Sequence, residues 1–450
     1  MWRGASATRC CPLCLNVVSL SSGLSELEPS LVSIACADLK RLVPTTHASI
    51  VRSLRRLERL RGSMSNANFE KEQMICGWCD PRGSLLLDPS LDGHVDVVRH
   101  LCFDWAHIFM VNGIFNVHLG KFMQVLRGSR IGYGEVAAYA RQWQWPKRLQ
   151  SKQAVGISSL ENPRAKNSAA SGVWHGDASE GLSLCPVLAS FVRFELLDKG
   201  VAVDHCRAFL LLCAVVDALL CVPRGCVAAD ELRDAILAHH RSFFDMYGDA
   251  AVVPKFHYAV HLPDFLRRFG MLPSCLLHER KHRVAKRYLA DRRNTSVDIG
   301  SGTLRDITVH HLEFLGDDRR FDSSSCLVSP RIASGQALEW LRNQFPESLQ
   351  CHVASSARCA LCEVCFVDDV VCVAEPSKPL WMGKAILFAR VGDQDFAVLR
   401  AFRREKCNCW AATHDIKVVH IQFVTGSVIH RQDDENLVHV IRPREFTMKL

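Results

Sequence analysis

A chain of 450 residues has room for about three domains, and its 48 % hydrophobic and 23 % charged residues exclude wholesale disorder. Lys and Arg exceed Asp and Glu by 55 to 47, a net charge of +8 that leans mildly toward anionic partners. The longest apolar run, Phe209 to Val222, contains Asp217 and falls short of the roughly 18 residues a bilayer span requires, so no membrane partner is expected.

Arg3 and Arg9 precede the apolar run Cys10 to Leu20 as in a short secretory signal. Pro12 and Asn16 interrupt it, and the odd total of 21 cysteines suits a reduced compartment with some thiols on metal, so the chain reads as intracellular. Within that run Cys11-Pro12-Leu13-Cys14 has the C-x-x-C spacing that lets two thiolates share one tetrahedral metal, against the plainer reading of two core cysteines.

From Leu42 to Arg61, Ile50, Val51, Leu54, Leu57 and Leu60 recur at helical spacing with Arg52, Arg55, Arg56, Arg59 and Arg61 between them, which predicts a basic amphipathic helix: a solvated face or a phosphate contact. A second C-x-x-C, Cys76 to Cys79, competes with the first. In the apolar segment Val95 to His118, Asp104-Trp105-Ala106-His107 sets a carboxylate and an imidazole on one helical face, a candidate second half-site for a metal. Residues Gln150 to Asp177 lack periodicity and read as a loop. Helices are predicted at Cys185 to Leu197, His205 to Cys221 and Ala229 to Tyr247, the second apolar nearly all round and therefore central.

The block Pro254-Lys-Phe-His257-Tyr-Ala-Val-His261-Leu-Pro263 leads into a basic stretch. Between Arg267 and Arg293 stand Arg267, Arg268, Arg280, Lys281, Arg283, Lys286, Arg287, Arg292 and Arg293, against only Glu279 and Asp291. A carboxylate in such a patch suits a divalent ion while the cations take phosphate; alternatively Glu279 simply pairs with Arg283 one helical turn on. After Ser323 a helix at Ser334 to Gln344 is followed by short β-rich runs, Val370 to Val373, Ala385 to Ala389, Phe396 to Phe402, Val418 to Val424 and Leu437 to Ile441. This spacing predicts a barrel or sandwich of roughly 90 residues. The run Cys359-x-x-Cys362-x-x-Cys365 at its start has zinc-like gaps, but Val364, Phe366 and Val367 favour a buried strand.

The ordered set Cys11-x-x-Cys14, Phe103-Asp104-Trp105-Ala106-His107, Val111-Asn112-Gly113-Ile114-Phe115-Asn116, the Pro254 to Pro263 block, Arg267-Arg268-Phe269-Gly270 and Glu279-x-Lys281-His282-x-x-x-Lys286 resembles the downstream part of eukaryotic cut-and-paste DNA transposases of the CACTA-like group. The resemblance covers roughly residues 1–300. It implies an RNase H-like core, zinc-type ligands Cys11, Cys14, Asp104 and His107, and a catalytic acid at Glu279, with Glu180 as a rival. In that pattern two metal-binding aspartates lie upstream of the C-x-x-C, whereas the ten residues before Cys11 contain no acid. A catalytically incomplete, nuclear, DNA-binding protein is therefore expected, with structural zinc, and with magnesium only where an active site is intact. Its DNA contacts are expected from Arg267, Arg268, Lys281, Arg283, Lys286, Arg287, Arg292 and Arg293.

The expected fold is α+β in three parts: residues 1–150 a truncated RNase H-like core with the zinc motifs, 151–322 a helical insertion carrying the glutamate, and 323–450 a helix and a small SH3-like β-barrel able to contact chromatin or protein. The alternative function is a zinc-stabilised chromatin or protein interaction module without DNA activity.

Overall fold

A computed structural model of the protein describes residues 2–91, 93–161, 171–274, 325–346, 350–360, 363–406 and 408–441, with isolated positions between 304 and 312. The described chain is mixed α+β, helical up to residue 274 and sheet-rich from residue 326 onward.

The basic amphipathic segment forms the helix His47–Arg61, started by a capping box in which Thr46 accepts from the Ser49 amide. Ile50, Leu54 and Leu57 are buried, as their spacing requires. They pack with Phe69 of the next helix, Asn66–Cys76, and with Trp78. That helix ends at Gly77, whose φ of +81° is left-handed and whose added Cβ would stand 2.4 Å from the Arg9 carbonyl. The absence of a side chain there lets the N-terminal segment cross close by, held by Arg3 N–H to Gly77 O and Thr8 N–H to Met74 O, both 3.0 Å.

The main core is built from the helices Ile114–Leu126, Ala178–Phe191, Val203–Cys221 and Ala229–Tyr247. Val203–Cys221 is buried on nearly every face and lies at its centre, as its composition predicts. The Asn112-Gly113-Ile114-Phe115-Asn116 motif has a structural use: the Asn116 side chain caps its own helix by accepting from Gly113 N–H at 3.0 Å. The same amide donates to the carbonyls of Trp174 and Gly176. Residues Gln150–Glu161, read from sequence as loop, form a helix. Its weak pattern is overridden by packing, since Ile157 and Leu160 are buried in the main core and Gly156 admits Leu184 against the backbone.

Among the described residues before 322, the strands are the two-residue parallel pair β1 (Val17–Val18) and β2 (Val32–Ser33). The remaining strands are β3 (Cys326–Leu327), β4 (Arg331–Ile332), β5 (Cys351–Ala354), β6 (Ser356–Arg358), β7 (Val364–Phe366), β8 (Val370–Val373), β9 (Trp381–Val391), β10 (Gln394–Lys406), β11 (Cys409–His420), β12 (Val424–Ser427), β13 (Ile429–Gln432) and β14 (Leu437–Ile441). Where the turn spacing suggested a small SH3-like barrel, nine of them form one curled antiparallel sheet, a half-barrel, in the order β12-β8-β9-β10-β11-β14-β13 with β5 and β4 branching from β9. The branch follows from length: the first half of β9 pairs β8 and its second half pairs β5 along one edge. Register shifts in β10 at Val398/Leu399 and Arg400/Phe402 mark irregularities of the kind that bend strands and increase twist. The β9–β10 hairpin turns through Gly392 (φ +60°), the first central position of a two-residue loop.

The sheet is docked on the helical body through the segment after the helix Tyr133–Arg141. Gln144 and His430 exchange backbone hydrogen bonds of 2.6 and 3.0 Å, Lys147 N–H donates to Asp369 at 2.9 Å, and Arg148 pairs with Glu363. Ile429 and Ile441 of the sheet belong to the helical core.

Candidate metal centre

Four side chains converge where the N-terminal segment meets the helices Pro254–Ala259 and Leu262–Phe269: Cys11, Cys14, His257 and His261, with one ligand atom of each all within 4.8 Å of one another. His261 Nε2 lies 3.4 Å from Cys11 Sγ, 3.5 Å from Cys14 Sγ and 3.2 Å from His257 Nε2. Ligands held about 2.0 to 2.3 Å from a tetrahedral ion stand about 3.3 to 3.8 Å apart, so the observed spacings suit a single ion.

Both halves are positioned locally before they meet. The C-x-x-C turn is stabilised by Leu13 N–H pointing to Cys11 Sγ at 3.4 Å. Leu15 N–H to Val43 O and Thr45 N–H to Leu13 O then hold this turn against residues 43–45. His257 and His261 stand four residues apart; Pro254 opens the first helix, where a missing N–H costs nothing, and His261 immediately precedes the second. Tyr258 O–H donates to Cys10 O at 2.7 Å, tying the two halves together beside the ligands. Phe103 packs edge-on to His261 and to Phe265 with ring centroids 6.0 and 5.7 Å apart.

The electrostatics favour a cation. Cys11, Cys14 and His257 are buried and His261 partly so. Burial, with Cys14 adding to it and His261 opposing it, holds the Cys11 thiol well above its ordinary value. Cys10 is pushed up to about 12 by burial and by Cys11. Burial, and then the neighbouring His261 and His240, hold His257 well below the ordinary imidazole value. The Cys11 thiol thus stays protonated in this site unless a cation compensates the thiolate charge, and the His257 imidazole already favours its neutral, ligating form. A set of two cysteines and two histidines is able to hold a metal ion such as zinc.

The residues that the structure brings to Cys11 and Cys14 are His257 and His261, whereas Asp104 and His107, expected there, are not among them. Asp104 caps the helix Trp105–Phe109, accepting from Ala106 N–H at 2.9 Å, and its other oxygen lies 2.5 Å from His107 Nδ1. That pair sits outside the four-ligand group. His107 is half exposed, so the carboxylate serves the helix start and an i,i+3 contact. A signal for His257 and His261 is present in the Pro254 to Pro263 block, because His-x-x-x-His is as good a zinc spacing as Cys-x-x-Cys. Cys76 contacts the carbonyls of Gln73 and Trp78, and neither it nor Cys79 belongs to the group. Cys359 and Cys365 are buried in the β-rich core, and Cys359's proximity and burial drive the Cys365 thiol up. Cys362 lies outside the described residues.

Glu180 is buried at the third position of the helix Ala178–Phe191 and accepts from Asp177 N–H at 2.7 Å, closing a capping box. Arg267 bridges Asp264 and Asp230, which also bind Arg233. Arg268 donates to the carbonyls of Val98 and Arg99 at 2.7 and 3.2 Å. Both arginines, expected on DNA, are thus engaged within the fold. Glu279, Lys281, Arg283, Lys286, Arg287, Arg292 and Arg293 lie outside the described residues.

Comparison of the chain with protein-family models, with curated proteins and with solved structures finds no match. No described helix is long and apolar enough to cross a membrane.

Proposed function

We propose that this chain is a transposase-derived DNA-binding protein organised by a structural zinc ion on Cys11, Cys14, His257 and His261. The observation that carries the reading is the convergence of those four ligand atoms within 4.8 Å. A closed set of four protein ligands, three of them buried, leaves no position for substrate, the mark of a structural rather than a catalytic ion. The ordered motifs support the transposase ancestry, and the parallel pair β1–β2 beside the C-x-x-C is read as what this segment retains of an RNase H-like sheet.

Arg52, Arg55 and Arg59 support the DNA reading. They share one exposed face of the helix His47–Arg61, and no carboxylate among the described residues pairs with them, while Arg56 and Arg61 on the same helix take Glu72 and Asp80. Three cations on one face present a row of phosphate contacts. In the nucleus such a protein binds DNA without sequence preference through this face, the half-barrel remaining free for a chromatin or protein partner.

The test is a salt titration of duplex DNA binding by the full chain. Changing Arg52, Arg55 and Arg59 together to Ala lowers the slope of log affinity against log salt by roughly three units, about 0.9 for each lost phosphate contact. An unchanged slope in a folded triple variant overturns the assignment of this face. Zinc content of one ion per chain with no salt-dependent DNA affinity supports the alternative, a zinc-stabilised interaction module, which the internal pairing of Arg267 and Arg268 favours.

A further inference from the structure

A cavity of about 750 Å³ lies between the segment joining the helical body to the sheet and the face of the half-barrel. Its size falls within the range of roughly 300 to 1,000 Å³ typical of small-molecule sites. Four cationic side chains, Arg141, Lys147, Lys384 and Arg400, line it together with only two carboxylates, Asp368 and Asp369. Both carboxylates are already engaged. Asp368 pairs with Lys147 at 3.3 Å and Lys384 at 3.5 Å, and Asp369 accepts from the backbone N–H groups of Lys147 and Phe366, each at 2.9 Å.

The arrangement of the cations is unfavourable by itself. Arg400 on β10 stands directly opposite Lys384 on β9, and residues in register across neighbouring strands project to the same face with Cβ atoms about 5 Å apart. Like charges so placed repel, and Arg400 is exposed with no carboxylate partner among the described residues. Trp145, 3 % exposed, and Phe402 line the same cavity and give it an apolar side beside the cations.

We propose that this cavity binds a small organic phosphate, its phosphoryl group between Arg400 and Lys384 and its organic part against Trp145 and Phe402. Arg141 pairs with Glu161, which leaves Arg400, without a carboxylate partner among the described residues, as the cation the lining does not neutralise. A phosphate monoester carries about −1.5 to −2 charges at neutral pH, and its three acceptor oxygens suit the Arg400 guanidinium fork and the Lys384 ammonium beside it. A carboxylate offers half the charge and fewer acceptors. The assignment is independent of the zinc centre and of the Arg52 to Arg59 face.

The test is calorimetric titration of the full chain with phenyl phosphate at constant ionic strength, with benzoate and a single-stranded oligonucleotide as comparison ligands. Phenyl phosphate is expected to bind saturably at one site, and benzoate about tenfold more weakly or worse. Arg400→Gln and Lys384→Gln are expected to weaken phenyl phosphate by about tenfold or more each, with circular dichroism and zinc content unchanged. Arg400 has no carboxylate partner among the described residues, and Lys384→Gln gives up only its exposed 3.5 Å pair with Asp368, which keeps Lys147. Absence of saturable binding at millimolar phenyl phosphate overturns the proposal, as does equal binding by Arg400→Gln. Benzoate binding as tightly as phenyl phosphate removes the phosphate assignment. Oligonucleotide that displaces phenyl phosphate and loses its own affinity in Arg400→Gln makes the cavity part of a nucleic-acid groove instead.

Discussion

The helical body and the half-barrel are held together by opposite means. In the half-barrel β8 to β11 are stitched by backbone hydrogen bonds, the long β9–β10 and β10–β11 pairs being hairpins of adjacent strands. In the helical body the decisive join brings residues 11 and 14 against residues 257 and 261, far apart in the chain, and it is made by four side-chain ligand atoms and one Tyr258 hydrogen bond. The lesson is that the sheet is assembled mainly from pairings of strands near in sequence, whereas the N-terminal segment joins the helical core through contacts made across about 250 residues. A loop closed over so long a stretch costs entropy that one strong centre offsets.

The largest effect expected from breaking this contrast is at the ligands. Cys14→Ser or His261→Ala should reduce zinc content from one ion per chain to none, with a loss on the order of 10 kcal/mol of binding energy that is also folding energy. Hydrogen exchange should then show lost protection at residues 2–18 and 254–269 and retained protection at residues 381–420. Simultaneous loss of protection in the β-strands would show that the two regions form one cooperative unit.

The mirror experiment removes a large side chain from the sheet. Phe388 is fully buried in a cluster of its own with Val371, Leu399 and Ile421. Phe388→Ala should cost about 3 to 5 kcal/mol in denaturant melts while leaving one zinc per chain. A fall in zinc content would place the metal centre under the control of the sheet.

A smaller, graded effect comes from a chain of buried imidazoles in the helical body. His118 Nδ1 lies 3.1 Å from His239 Nε2, His239 Nδ1 lies 3.2 Å from His240 Nδ1, and His240 Nε2 lies 2.8 Å from the Phe256 carbonyl. Burial, then the charge of His205, pushes His118 down to about 3. Burial lowers His240 to about 4 and puts His239 well below its usual value. These rings stay neutral in the folded protein while the unfolded chain takes up protons below about pH 6.5, so their contribution is complete above that pH and is lost as pH falls toward 4. Each ring accounts for up to about 1.4 kcal/mol per pH unit. His118 is packed among Phe209, Phe243 and Tyr247, so His118→Phe should fit and remove one proton's worth of that slope. An identical slope in wild type and variant would mean that His118 takes up its proton in the folded state.

Much of the fold is legible in short windows. The helices His47–Arg61, Val203–Cys221 and Ala229–Tyr247 follow from apolar spacing, and the β-rich character after residue 350 from its Val-rich runs. Helix Gln150–Glu161 was not legible, because its periodicity is poor and its order comes from Leu184 and the surrounding core. The sheet's curl was not legible either, since register shifts and the fork on β9 depend on which strands share an edge.

At the metal centre the division is sharpest. The sequence by itself marked Cys11 and Cys14 as a candidate ligand pair, since two intervening residues suffice to bring both sulfurs to one ion, and left the plainer reading of two core cysteines open. From sequence the partner pair was expected at Asp104 and His107, with Cys76 to Cys79 in competition; His257 and His261, spaced four residues apart, stood in the Pro254 to Pro263 block without a metal role assigned. Local geometry cannot choose between the two histidine-bearing pairs, because either spacing puts two ligands on one face. The tertiary structure chose by packing the helices Pro254–Ala259 and Leu262–Phe269 against the N-terminal segment, with Tyr258 bonded to Cys10 and the His261 ring facing both sulfurs. Asp104, needed at the start of its own helix, pairs with His107 instead.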